Sequence, residues 1–166
     1  PVIVATRQDE FEQTAMPHSR SLLRVARRLI SDPAEAEDLV QETLLLAWRN
    51  FRQFRSGTNA RAWLFRILLN SFYARGRKQR ADPAAVPIPA ASSVVEAAEI
   101  AQALAALQEE HRTVLLLGVV EGFTCREMAD ILSVPIGTVM SRLSRAREAL
   151  RARLTPSAHC AGKGAS

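Results

Sequence analysis

The sequence predicts an all-α protein: two small helical domains on a proline-rich tether. Three observations carry that reading. Leucine, alanine and arginine dominate a chain that is 48% hydrophobic but only 5% aromatic, a mixture that favours helix. Apolar residues recur at helical spacing from Glu12 to Arg80 and again from Val94 to Leu154, with no strand alternation of note. Between these stretches, DPAAVPIPAASS places three prolines in 12 residues, which a helix cannot hold. The 166 residues therefore divide into a first domain over 1–80, a linker over 81–93, a second domain over 94–154 and a small, polar tail over 155–166 expected to be disordered.

In the first domain, Asp32-Pro33 reads as a helix start, with Asp32 as N-cap and Pro33 in the first turn. The helix that follows, DPAEAEDLVQETLLLAWRNFRQF, has two faces. Leu39, Val40, Thr43, Leu44, Ala47 and Phe51 form a core side with Trp48 at its edge, and Leu46 is poorly placed for that core. Asp38, Gln41, Glu42, Leu45 and Arg49 form the other side, where Leu45 is an apolar residue on a face that should be wet. Acids around an exposed leucine suit a docking surface, although a single exposed leucine is common. Ser56-Gly57-Thr58-Asn59 is a turn cluster. In the next helix Trp63, Leu64, Ile67, Leu68 and Phe72 suit a buried stripe, while Arg61, Arg66, Asn70, Arg77, Lys78 and Arg80 leave a basic surface. Such a surface beside aromatic and amide groups suits melted DNA.

The second domain carries a helix-turn-helix pattern. Met128, Ala129, Ile131 and Leu132 share one side of a short helix, Val134 follows in the turn, and Ser133 takes a position where glycine is commoner. Pro135 cannot extend the first helix and its fixed φ suits entry to the second. Val139, Leu143, Ala146, Leu150 and Leu154 then form one stripe at 100° per residue. Ser141, Ser144, Arg145 and Glu148 lie opposite, flanked by Thr138 and Arg142 on one side and by Met140 and Arg147 on the other. Hydroxyls and arginines on the outer face suit a DNA major groove.

Charge distribution points the same way. Residues 32–42 hold five acids and no base, residues 49–80 nine bases and no acid, and residues 142–153 five arginines against Glu148 alone. Nucleic acid is the commoner partner of such basic blocks. No run approaches the length and apolarity of a membrane span, and PVIVATRQDEFEQ does not read as a signal peptide. Two cysteines, Cys125 and Cys160, make no disulfide framework and suggest a reducing, cytoplasmic setting. Cys125, His159 and Cys160 lack paired metal-ligand spacing, so neither metal nor cofactor is expected. His18 and His111 read as surface residues.

DPAEAEDLVQETLLLAW, GTNARAWLFRILLN, the proline-rich linker and EEHRTVLLLGVVEGFTCREMADILSVPIGTVMSRLSRAREAL, in that order, resemble an extracytoplasmic-function (ECF) RNA polymerase sigma factor over roughly residues 11–154. The wording of GTNARAWLFRILLN leans towards the general-stress sigma factors of alphaproteobacteria. The resemblance implies a non-catalytic initiation factor with a region 2-like helical bundle and a region 4-like helix-turn-helix. It implies that Asp38, Gln41, Glu42 and Leu45 dock on the β′ clamp coiled coil of core RNA polymerase, with the β subunit a further contact. It implies that Asn59, Arg61, Arg66, Asn70, Arg77 and Lys78 meet the −10 element, and that Thr138, Ser141, Arg142, Ser144 and Arg145 read the −35 duplex. The linker would run near the RNA exit path with one acid, Asp82. An anti-sigma factor is implied as a further partner. The chain departs from some relatives at Thr58-Asn59-Ala60-Arg61, where an aromatic would hold a flipped base, and at Met140 and Ser144, where Arg and a bulky residue are common.

Two other readings compete. A stand-alone helix-turn-helix regulator explains residues 124–154 but not the acidic face with Leu45 or the basic AWLFRIL segment. A metal-dependent nuclease could use Glu35, Asp38 and Glu42, which share a helix face, but no histidine or second carboxylate set accompanies them.

Overall fold

The computed structural model describes residues 6–55, 57–81 and 95–154. The linker over 82–93, the tail over 155–166 and Ser56 of the turn cluster lie outside these described residues.

Four helices build the first domain: α1 (Arg7–Ala15), α2 (Ser19–Leu29), α3 (Pro33–Asn50) and α4 (Ala60–Ala81), with short 3₁₀ turns at Met16–His18 and Phe51–Gln53. Helix α1 starts upstream of the periodic pattern because Thr6 and Asp9 form a capping box, the Thr6 side chain accepting from Asp9 N–H and the Asp9 carboxylate from Thr6 N–H at 2.8 Å. Asp32 caps α3 as its sequence predicts, accepting from Ala34 N–H at 2.8 Å with Pro33 at the first position. Leu22, Val25, Leu39, Leu64 and Leu68 are fully buried between these helices. An aromatic chain closes one end: Phe11 meets Trp48 and Phe51 edge-on with centroids 5.3 Å apart, Phe51 stacks on Phe54, and Phe54 lies 4.8 Å from Trp63.

The second domain comprises α5 (Val95–Ala105), α6 (Glu109–Leu115), a π turn over Leu116–Val120, α7 (Cys125–Leu132) and α8 (Ile136–Leu154). Thr124 and Glu127 form a second capping box that starts α7. Ser133 ends it in the left-handed region, φ 55°, ψ 45°. Val134 N–H reaches back to the Ala129 carbonyl at 3.1 Å, and α8 resumes at once. Val139, Leu143 and Ala146 are buried, Leu150 is half-buried, and Leu154 is exposed. Among the described residues the core stripe of α8 therefore stops one turn short of its sequence-predicted end, where Leu154 is exposed.

The sequence leaves open whether the two domains pack on each other, and in the structure they do. Helix α4 lies against α7, and α2 against α5 and α6. Phe65 of the first domain meets Phe123 of the second edge-on at 5.2 Å, and one continuous apolar core runs through both. Phe65, outside the sequence-predicted stripe of α4, is buried against Phe123, and Leu69, also outside that stripe, is buried too.

Candidate polymerase and nucleic-acid interfaces

Three sets of side chains come out differently when placed in the fold. On α3, Asp38, Gln41 and Leu45 are exposed on one face, and Leu45 is 58% exposed. Glu42 is only half-exposed, because Arg75 of α4 donates to it from Nε at 2.9 Å. The core side of α3 behaves as its periodicity requires: Leu39, Val40, Thr43, Ala47 and Phe51 are buried, with Leu44 and Trp48 half-buried beside them. Leu45 is thus left in water by the helix phase itself.

On α4, Arg66, Asn70, Arg77 and Lys78 are exposed, the first three at helical spacing on one face. Arg80 has no described side chain. Asn59 and Arg61 are elsewhere engaged. Asn59 caps α4, its Oδ1 accepting from Ala62 N–H at 3.0 Å, while its Nδ2 donates to Glu127 Oε1 of the second domain at 2.9 Å. Arg61 donates to both the carboxylate and the backbone carbonyl of Glu121 at 2.6 Å, and its guanidinium lies 4.3 Å from the Phe123 ring centroid. A second guanidinium, that of Arg24 on α2, donates to the other Glu121 oxygen at 2.8 Å. The Glu121 side chain has no solvent exposure. Gly122, at φ +72°, makes the bend that lets Glu121 and Phe123 point into the first domain together.

On α8, Ser141, Ser144 and Arg145 are exposed and Thr138 is half-buried. Arg142 is more buried than its place on the helix wheel implies and pairs with Glu110 of α6 at 3.0 Å. Arg142 also lines, with Asn70, Tyr73, Arg77, Glu109 and Glu110, a cleft of about 610 Å³ between α4 and the second domain. Across the same junction the Tyr73 hydroxyl donates to Thr113 Oγ1 at 3.1 Å.

Electrostatics follow the geometry. Thr124 N–H and its hydroxyl hold the Glu127 carboxyl below its ordinary value, with smaller help from Arg61 and Asn59. His18, read from sequence as a surface residue, is half-buried: burial, and then the charge of Arg61, lowers its imidazole. His111 is likewise half-buried. Among the described residues no group of three or more His, Cys, Asp or Glu could hold a metal ion, and no helix is long and apolar enough to cross a membrane.

Residues 15–81 match the Sigma-70 region 2 family, and residues 97–150 match Sigma-70, region 4. The chain is 38% identical over 149 residues to the ECF RNA polymerase sigma factor SigL of Mycobacterium tuberculosis, covering 82% of this chain and 84% of that protein. The chain belongs to the ECF sigma factors. The ECF sigma factor EcfG of Rhodopseudomonas palustris is similarly near, 38% identical over 81% of this chain and 79% of its own. The sigma factor also resembles RpoE of Bartonella quintana, solved with the anti-sigma factor NepR (TM-score 0.76, 35% identity, 87% of this chain and 96% of that one). It resembles CnrH, solved with the cytosolic domain of CnrY (TM-score 0.71, 31% identity, 89% of this chain and 88% of that one). As such a factor it directs promoter-specific transcription initiation; the stand-alone regulator is not favoured.

The sigma factor's two matched regions are thus each an independent helical pattern in the sequence. Their junction is not. Arg24, Glu121 and Phe123 were not singled out by sequence reasoning. The available signal was the lone acid Glu121 in VLLLGVVEGF, an apolar run that closes on Gly122 and an aromatic.

Proposed function

We propose that this sigma factor docks on core RNA polymerase through Asp38, Gln41, Glu42 and Leu45 of α3, on the β′ clamp coiled coil, with the β subunit contacting the chain elsewhere. It meets the −10 element through Asn59, Arg61, Arg66, Asn70, Arg77 and Lys78, and the −35 duplex through Thr138, Ser141, Arg142, Ser144 and Arg145. The observation that carries the reading is α8. Buried Val139, Leu143 and Ala146 fix its roll, which turns Ser141, Ser144 and Arg145 outward. Asn59 and Arg61 come free for DNA only when they exchange their bonds to Glu127 and Glu121 across the junction, so engagement of the −10 element goes with parting of the two domains; Arg142 must exchange its pair with Glu110 inside the second domain. The solved neighbours with anti-sigma factors support an anti-sigma partner for this chain as well. The general-stress assignment belongs to this proposal and rests on the wording of residues 57–70. Work with the polymerase sets the protein in the cytoplasm, with the nucleotidyl transfer left to the polymerase.

Run-off transcription with core polymerase on a promoter library tests the whole reading. Transcripts from a defined subset sharing two spaced elements are the expected result. Transcripts no different from those of core polymerase alone would sink it, and tight duplex binding without polymerase would favour the stand-alone regulator.

A further inference from the structure

Two large apolar side chains stand in solvent on α8: Ile136 is 46% exposed and Met140 is 58% exposed. They lie one turn apart, on neighbouring positions of the helix surface. Between them sits Gly137, where an added Cβ would meet nothing within 4 Å and where φ is ordinary. Neither the backbone nor the interior requires a glycine at that point. The missing side chain leaves the helix surface open there to a close approach from outside.

The surroundings say what approaches. Ser141 and Ser144 are exposed beside Met140, and Arg147 is exposed on the same face two turns further along α8. An apolar protein partner seated on Ile136 and Met140 would have to desolvate the flanking hydroxyls and the Arg147 guanidinium. A lipid surface would find only two apolar groups, too small a patch to hold it. Duplex DNA fits both halves of the pattern. Its phosphates take the arginines and hydroxyls, and its major groove exposes one apolar group, the 5-methyl of thymine.

We propose that Ile136 and Met140 read thymine 5-methyl groups in the duplex that α8 enters. This rests on the −35 reading above and adds the identity of a base to it. Gly137 lets the start of the helix sit deep enough for both side chains to reach the base edges. Met140, unbranched and polarizable, adapts to a methyl in more than one register, whereas Ile136 presents a fixed shape.

The test uses the full chain assembled with core polymerase, on promoters selected from a pool randomised in the −35 element. Each −35 thymine is replaced in turn by deoxyuridine, which lacks only the methyl. At one or two positions the replacement should weaken binding about four-fold, as expected for one buried methyl. That penalty should disappear in Met140→Ala or Ile136→Ala, both exposed enough to leave the fold intact by circular dichroism. Selected sites without thymine, equal tolerance of deoxyuridine everywhere, or a penalty kept by both alanine variants would overturn the proposal and leave −35 reading standing. Binding indifferent to −35 sequence would instead remove that reading, and the proposal with it.

Discussion

Glu121 is the residue whose environment differs most from its sequence context. A carboxylate without solvent exposure is sustained by two guanidiniums that keep one side wet, Arg24 at 47% and Arg61 at 30% side-chain exposure. That asymmetry sets the effect of each deletion. Glu121→Ala leaves two cations that can turn to water, a loss of about 1–2 kcal/mol; Arg61→Ala strands a buried anion on one partner and should cost more, about 2–4 kcal/mol. Urea unfolding of both variants decides the matter, and the reverse order would contradict the burial argument. Ser133 is strained in the opposite sense. A non-glycine residue at φ 55° carries a steric penalty of about 1–2 kcal/mol, part of which glycine returns as unfolded-state entropy. Ser133→Gly should therefore raise stability by about 0.5–1 kcal/mol. A lower thermal midpoint would refute that balance.

At the scale of elements, α7 depends on the Thr124–Glu127 box and α3 on its two faces. The Glu127 carboxyl is held below its ordinary value of 4.5 by Thr124. A group depressed on folding stabilises above its unfolded pKa and loses that contribution as pH falls through the folded one. Acidification below about 4.5 should therefore weaken the protein less in Glu127→Gln than in the parent; equal acid sensitivity would deny the box a role. On α3, Leu45→Asp should lower affinity for core polymerase at least ten-fold while leaving the thermal midpoint within a degree or two, since a residue 58% exposed contributes little to the fold. Normal polymerase affinity would refute docking through this face. Both elements were legible in the sequence: Asp32-Pro33 starts α3, and the phase of Leu39, Val40, Thr43 and Ala47 puts Leu45 outside.

At the scale of the molecule, the two domains share a junction made of one buried carboxylate, one aromatic pair and a few hydroxyl and amide bonds. These polar bonds sit beside an apolar core that is continuous between the domains, so parting them would expose apolar surface as well as break ion pairs. If Arg66, Arg77, Lys78 and Arg145 meet phosphates as proposed, DNA binding should fall steeply with salt through counterion release. Glu121→Ala, which frees Arg61, should lose stability without losing transcription in run-off assays. A matching loss of transcription would show that the junction is needed in the working state. The sequence by itself determined the helical character of both halves, the Asp32-Pro33 start of α3, the helix-turn-helix and the outward face of α8, because helical periodicity and cap chemistry act within a few residues. Only the tertiary structure decided that Phe65, Leu69 and Glu121 are buried and that Asn59, Arg61 and Arg142 are paired. The pairing of Asn59 and Arg61 and the burial of Glu121 depend on residues 60 to 97 positions apart meeting across a junction, and the pairing of Arg142 depends on Glu110 of another helix in the second domain; nothing in local spacing records which surface of one helical domain will face the other.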